Sequence, residues 1–258
     1  MSGSEQAIGQ APAVVADTGG GITAAYEGWF RNNDGSFSLL IGYFNRGEAV
    51  DVRVGSDNNI EPGGPDRGQP TFFLSGRQWG IFTIRVPEDF NSKSLLWTLK
   101  VRGQTTAIPM HLNPLWEVSP LLEATIGNTP PTIWFSRNGP PHQGPPLGIH
   151  HALSTTADTP MEITIWTNDD EVIDPYRRGR PGPKVIVTWS KFRGTGEVSF
   201  NKSRPPIKVM DGSSTVIVTF SESGEYLLRV QANDLTREGG GGTQCCWTNA
   251  LVRVTVMR

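Results

Sequence analysis

Two adjacent cysteines, Cys245 and Cys246, are the residues whose type and spacing most directly suggest chemistry, and the chain has no others. The pair could form a vicinal disulfide, or it could supply thiolates to zinc or Cu(I) if further soft or imidazole ligands lay nearby. In a strand, one side chain would face the core and the other would face away from it. Alternatively, both are small side chains that pack at the start of a last strand, one of them covered by the glycine-rich loop. We predict a structural pair without a catalytic role.

The four histidines all lie between residues 111 and 151. His142, His150 and His151 are candidate ligands for copper or zinc, and Met110-His111 is a similar soft pairing. Side chains of adjacent residues diverge on a strand, so at most one of His150 and His151 points into a single site. The alternative is that these histidines lie at the surface or in an interface.

Acidic residues cluster after two predicted strands. Asp169 and Asp170 follow one strand, and Asp234 leaves another. Because Ca²⁺ takes several oxygen ligands, these three carboxylates are candidate calcium ligands at one end of a β domain. A solvated loop without a metal is the alternative.

Motifs of the common enzyme classes do not occur in the sequence: it has no G-x-S-x-G, no H-E-x-x-H and no phosphate-binding loop. The net charge is −2 with both signs interspersed, which argues against nucleic-acid binding. No apolar run approaches the roughly 20 residues of a membrane-spanning helix. We therefore expect a binding or structural protein rather than an enzyme, with no cofactor.

Alternation of apolar and polar residues predicts many short strands, and no long segment has the period of an amphipathic helix. The predicted strand segments are 35–47, 49–55, 70–87, 94–112, 161–170, 184–201, 214–221, 224–234 and 246–258. Segment 94–112 predicts a hairpin that turns at Arg102-Gly103.

Changes in composition divide the chain. Residues 1–21 are small and polar and predict a flexible arm. Residues 22–120 predict one β-sandwich, with a small barrel as the alternative, and residues 148–258 predict a second sandwich. Three Pro-Pro pairs between them favour extended backbone and predict a connector at 121–147.

A family resemblance is carried by "VIVTFSESGEYLLRVQANDL" at residues 216–235. This stretch resembles the E–F strand pair of polycystic-kidney-disease, cadherin-like and other immunoglobulin-like domains of bacterial surface proteins. Tyr226 is placed like the tyrosine that closes the corner of such sandwiches, and Trp189 resembles their core tryptophan. The resemblance covers residues 155–258 and implies an immunoglobulin-like sandwich. The whole chain resembles two-domain proteins of environmental bacteria. The predicted fold class is therefore all-β, with two antiparallel sandwiches.

What the resemblance implies about function is an extracytoplasmic protein (periplasmic, cell-surface or secreted) for adhesion, scaffolding or assembly. Its partner would be a protein or glycan at the cell surface. The N-terminus has neither a basic nor an apolar region, so we expect no signal peptide in this chain. One alternative is a carbohydrate-binding protein that uses exposed members of its eight tryptophans. Another is a metal-binding or redox protein that uses the histidine cluster or Cys245-Cys246.

Both chain ends could also support self-association. The arm contains the apolar stretch 11–16, and residues 251–258 are a candidate edge strand that could accept a strand from another copy. The alternative, which we favour, is a frayed arm and a paired last strand. Deletion of residues 1–21 should then leave the native mass and the unfolding midpoint unchanged in native mass spectrometry and thermal unfolding. A fall from oligomer to monomer would instead show that the arm docks on a neighbour.

Overall fold

The computed structural model describes residues 20–124, 126–172, 184–234 and 245–258. Within these ranges the chain is nearly all β, with sixteen strands and two short 3-10 helices, Glu88–Phe90 and Pro114–Trp116. The first half holds β1 (Ile22–Arg31), β2 (Phe37–Asn45), β3 (Val50–Asp51), β4 (Asn58–Glu61), β5 (Phe72–Phe73), β6 (Gly76–Val86), β7 (Ser94–Val101) and β8 (Gln104–His111). The second half holds β9 (Thr132–Trp134), β10 (Ile149–Thr156), β11 (Met161–Asn168), β12 (Ile186–Arg193), β13 (Val198–Phe200), β14 (Ser213–Phe220), β15 (Gly224–Asn233) and β16 (Trp247–Met257).

The first half is built from two three-stranded antiparallel sheets, β1-β2-β6 and β4-β7-β8, together with the short pair β3-β5. A shared core that includes Trp97, Phe73 and Phe82 lies between them. The β7–β8 hairpin turns at Arg102-Gly103, as predicted. Both turn residues have positive φ, 51° and 74°, which a two-residue type I′ turn requires.

The second half is a sandwich of two four-stranded sheets, β10-β16-β15-β12 and β13-β14-β11-β9. Its neighbouring strands are antiparallel except for β10 and β16, which are parallel. Strand β9 comes from the segment predicted to be a connector, and it pairs with β11. The proline-rich segment therefore contributes an edge to the second sheet.

The last strand does not lie at an edge, so the prediction of an edge strand at residues 251–258 is wrong. β16 lies between β10 and β15 and pairs with both. The alternative, a paired last strand, is confirmed. Strand β10 was missed because "IHHALSTT" is half-exposed along its length and shows no clear apolar alternation.

Trp189 and Tyr226 are both buried, as the resemblance implied, with 1% of each side chain exposed. The Tyr226 hydroxyl donates to the carbonyl of Glu222 at 2.9 Å and accepts from the backbone N–H of Gly196 at 3.1 Å. This contact closes the corner between β14 and β15 in the way expected of a tyrosine corner.

The two halves also share apolar contacts. Phe192 of β12 and Leu251 of β16 belong to the hydrophobic core of the first half. Gly80 of β6 lies against Trp247, and a Cβ atom at Gly80 would overlap the indole ring. The 3-10 helices have neither the length nor the hydrophobicity to cross a membrane, and the described residues contain no other helix.

Replacement of Trp189 by alanine should lower the free energy of unfolding by about 3–5 kcal/mol, because it removes a fully buried aromatic side chain and leaves a cavity. Chemical denaturation measures the change. Trp116→Ala is the control, since Trp116 is 44% exposed and should cost far less. Equal effects of the two substitutions would contradict the core position of Trp189.

Candidate functional site

The structure brings two of the candidate histidines together and separates the third. The rings of His142 and His150 lie 3.7 Å apart, centre to centre. His142 Nε2 donates to the carbonyl of Asn249 at 2.7 Å, and His150 Nδ1 accepts from the N–H of Leu251 at 3.1 Å. The ring of His151 instead stacks on Phe135 at 5.1 Å.

Burial lowers the pKa of both paired histidines. For His150 burial is the larger cause and the neighbouring His142 adds to it, which brings the pKa to about 3. The pKa of His142 is lowered by burial and partly restored by its hydrogen bond to Asn249. Both imidazoles are therefore neutral near pH 7. Across the described ranges, no group of three or more His, Cys, Asp and Glu side chains is arranged to hold a metal ion. Copper or zinc binding stays a prediction.

The three candidate calcium ligands lie at the ends of β11 and β15. Asp234 is buried and accepts from Asn128 Nδ2 at 2.7 Å. Asp170 accepts from the N–H and hydroxyl of Thr129 at 2.8 and 2.7 Å. Burial, with smaller contributions from the charges of Asp234, Asp170 and Glu171, raises the pKa of Asp169 to about 7. The carboxylates are near enough to repel one another, and calcium binding at this cluster stays a prediction.

Cys245 and Cys246 form a disulfide, which is one of the alternatives that the sequence left open. The expectation that one of them faces away from the core is wrong, since both are buried. The pair precedes β16 rather than lying in it, so strand alternation does not apply. The two Sγ atoms lie 3.8 and 3.5 Å from the carbonyl oxygen of Asn128.

A groove of about 750 Å³ lies beside this cluster, on the outer face of the second sandwich. Its floor carries two tryptophans, Trp134 of β9 and Trp166 of β11, which are paired across the two strands. Their neighbours Ile133 and Ile165 are fully buried and point into the core. Alternation therefore places both indoles on the opposite face of the sheet, side by side.

The loop before β14 forms a wall of the groove, beside the two tryptophans of the floor. Val209 and Met210 of this loop are 100% and 99% exposed. Arg137 connects this loop to the tryptophan floor. Its guanidinium lies 5.4 Å from the centre of the Trp166 ring and forms a 2.6 Å ion pair with Asp211 of the loop. We call this site, between the two tryptophans and the 207–212 loop, the tryptophan groove.

Two polar atoms of groove residues have no hydrogen-bond partner among the described residues: the indole N–H of Trp166 and Oδ1 of Asp169. Such groups are normally satisfied by protein, water or ligand. The sequence contained a signal for Trp166 that was missed. In the strand "MEITIWTN" every second residue from Met161 to Ile165 is apolar and faces the core. Trp166 belongs to the alternate set of residues, which face outward.

No family model matches the chain, and no curated protein matches it significantly in sequence. Among solved structures, domains 4 and 5 of the S-layer protein SbsC match with a TM-score of 0.28 and 14% identity, covering 92% of this chain and 98% of that chain. The D00-D0 domain of intimin matches with a TM-score of 0.31 and 11% identity, at 92% and 100% coverage. A tandem of titin Ig domains matches with a TM-score of 0.25 and 9% identity, at 91% and 89% coverage. The likeness concerns the β-sandwich fold alone.

Asp169→Asn should stabilise the protein at alkaline pH but not at acidic pH. The folded-state pKa of about 7 lies above the ordinary 3.8, so the folded protein binds the proton more tightly and stability falls as the pH rises between these values. Asparagine does not ionise and keeps an oxygen for the N–H of Glu171. The difference between the melting temperatures of variant and wild type should grow in favour of the variant from about pH 5 to about pH 8.5.

Glu225→Gln is the control for the pH experiment, because it removes one negative charge from an exposed position on β15. It should not reproduce the pH-dependent gain. If the difference in melting temperature between Asp169→Asn and wild type is the same at every pH, the raised pKa of Asp169 is contradicted.

Proposed function

We propose that this protein is a non-catalytic adhesion or scaffolding protein whose two sandwich domains, residues 22–120 and 148–258, act as one rigid body. The observation that carries the proposal is the set of direct polar contacts between the two halves of the chain. The resemblance of residues 155–258 to domains of bacterial surface proteins also supports this proposal.

One end of the junction is an ion pair with two parallel hydrogen bonds. Arg193 Nη1 and Nη2 donate to the two carboxylate oxygens of Asp66 at 3.0 and 2.8 Å, and Nε donates to the carbonyl of Gln69 at 2.7 Å. The hydrogen bonds from Arg193 hold the pKa of Asp66 below its usual range. A planar guanidinium with all three contacts in place allows little rotation between the halves.

The other end of the junction is buried and centred on Asn249 of β16. Its side-chain amide donates to the carbonyls of Trp79 and Gly80 at 3.3 and 3.1 Å. Nearby, Arg229 donates to the side chain of Gln78 at 2.6 Å. Any rotation of one half against the other would break the hydrogen bonds of the Asn249 amide to β6, and a buried donor left unsatisfied costs about 1–3 kcal/mol.

Movement between domains is the ordinary expectation when their interface is small and polar. Here the polar contacts are combined with apolar ones, since Phe192 and Leu251 enter the core of the first half. A fixed orientation suits a protein that presents a surface at a defined distance and angle or transmits mechanical load. The buried disulfide supports an oxidising, extracytoplasmic location, where such bonds persist.

The adhesion proposal can be tested on intact cells of the species that encodes the protein. A protease that does not cross membranes should digest the chain on intact cells, or osmotic shock should release the chain with the periplasmic contents. Beads coated with the full chain should bind those cells, or envelope fragments from them, saturably and in competition with soluble protein. A cytoplasmic location, or beads that bind no more than albumin-coated beads do, would reject the proposal.

Rigidity has its own prediction: calorimetry of the wild type should give one unfolding transition for both halves. Asn249→Ala should split that transition or broaden it, because it removes the amide that joins β16 to β6. Asn45→Ala is the matched control, since Asn45 is also buried but its amide donates to Glu48 and Phe73, both in the first half. It should lower the midpoint without splitting the transition. Two separate transitions in the wild type would contradict the coupling.

A further inference from the structure

We propose that the tryptophan groove binds an uncharged oligosaccharide. The proposal rests on the adhesion role and deepens it by assigning a ligand class to one surface of the second sandwich. It depends on three properties of the groove: its aromatic floor, its unsatisfied polar atoms and its balance of charge.

The floor fits the apolar faces of sugar rings. A pyranose presents a face of C–H groups that packs against an indole ring, while its hydroxyl groups point outward around the rim. Trp134 and Trp166 occupy paired positions on adjacent strands, so their rings lie along one surface rather than on separate faces. A volume of about 750 Å³ is within the usual range for ligand sites and has room for more than one sugar ring.

The unsatisfied atoms match the hydrogen-bonding capacity of a hydroxyl group. The indole N–H of Trp166 is a donor, and Oδ1 of Asp169 is an acceptor. Both atoms are buried beneath the surface of the groove, so a ligand reaches them only when the surrounding side chains shift. A sugar hydroxyl both donates and accepts, and it can then satisfy both kinds of atom. An aliphatic ligand would leave both atoms unsatisfied, which costs free energy in a site that excludes water.

The charges around the groove nearly cancel. Three basic residues are matched by three acidic ones, and two of the basic residues are already in ion pairs, Arg137 with Asp211 and Lys184 with Glu171. The remaining pair of opposite sign is Lys208 and Asp169. Because the pKa of Asp169 is about 7, this carboxyl is only partly ionised near neutral pH, and the described lining residues together carry at most a small positive charge. This balance favours a neutral glycan over a nucleotide, a phosphate or a charged polysaccharide.

An apolar peptide is the competing occupant, because Val209 and Met210 form an exposed aliphatic wall. Such a peptide can offer only its backbone N–H and C=O groups to the charged rim, because its side chains are apolar, and any rim group that the backbone does not reach is buried at a cost. The hydroxyl groups of a sugar can bond to that rim instead. The lining therefore favours the glycan, and the peptide is one outcome of the test.

The experiment uses the purified full chain and a printed array of neutral plant, fungal, bacterial and animal glycans, followed by calorimetric titration with the best neutral hexasaccharide. We expect Trp166→Ala and Trp134→Ala each to weaken binding at least about tenfold, as loss of a central aromatic contact does. The affinity of Trp166→Phe should lie between the affinities of wild type and Trp166→Ala, because phenylalanine keeps an aromatic face but lacks the N–H. Trp116→Ala is the matched control, an exposed tryptophan outside the groove, and it should bind like wild type. Melting temperatures confirm that each variant is folded.

Four results would overturn the proposal: no neutral glycan binds, the two groove variants bind as well as wild type does, charged glycans bind better than neutral ones, or a leucine-rich decapeptide competes for the site. None of these results bears on whether the chain is at the cell surface or whether coated beads adhere, because those assays include every surface partner. Failure of the glycan site and failure of the adhesion role are therefore distinguishable.

Discussion

The structure depends most on β16, the strand whose two faces pack against the cores of both halves. Alternate residues of β16 face opposite sides, as in any strand. Ala250, Val252 and Val254 point into the core of the second sandwich. On the other side, Trp247 fills the space left by Gly80, the Asn249 amide donates to β6, and Leu251 enters the core of the first half. The last strand therefore holds its own sandwich together and joins it to the other half.

This double role agrees with two features of the residues beside β16: a pair of neutral histidines and a glycine on β6. His142 donates to the carbonyl of Asn249, and His150 accepts from the N–H of Leu251, so the histidine pair supports the backbone that forms the junction. Burial lowers the pKa of both imidazoles, because a protonated ring here would lose its hydration, and the neighbouring His142 lowers the pKa of His150 further. At Gly80 the φ of 47° and the contact with Trp247 both exclude a side chain. Two histidines that the sequence offers as candidate metal ligands thus form hydrogen bonds to the backbone of β16.

Sequence reasoning identified most of the long strands, including β2, which is buried on both faces, but it missed β1 and β10. The resemblance of residues 216–235 correctly predicted a buried Tyr226, and Arg102-Gly103 correctly predicted a hairpin turn. Strand β1 has buried residues on both faces, and β10 is about half-exposed on both faces. Neither strand therefore shows the alternation of apolar and polar residues that marks a strand in a sequence. The tryptophan groove was missed because it depends on β9, a three-residue strand within a proline-rich segment. Its pairing with β11 is a long-range contact that no local pattern encodes.

The edge of the groove is connected to the disulfide through Asn128. The carbonyl of this buried residue lies against both sulfur atoms, and its amide donates to Asp234. The charge of Asp234 in turn contributes to the raised pKa of Asp169, which lines the groove. Hydrogen-bond contacts and this electrostatic interaction therefore link the start of β16 to the surface where we place the ligand. The strand whose side chains contact both halves thus begins beside Asn128, whose amide donates to a carboxylate that interacts with the edge of the groove.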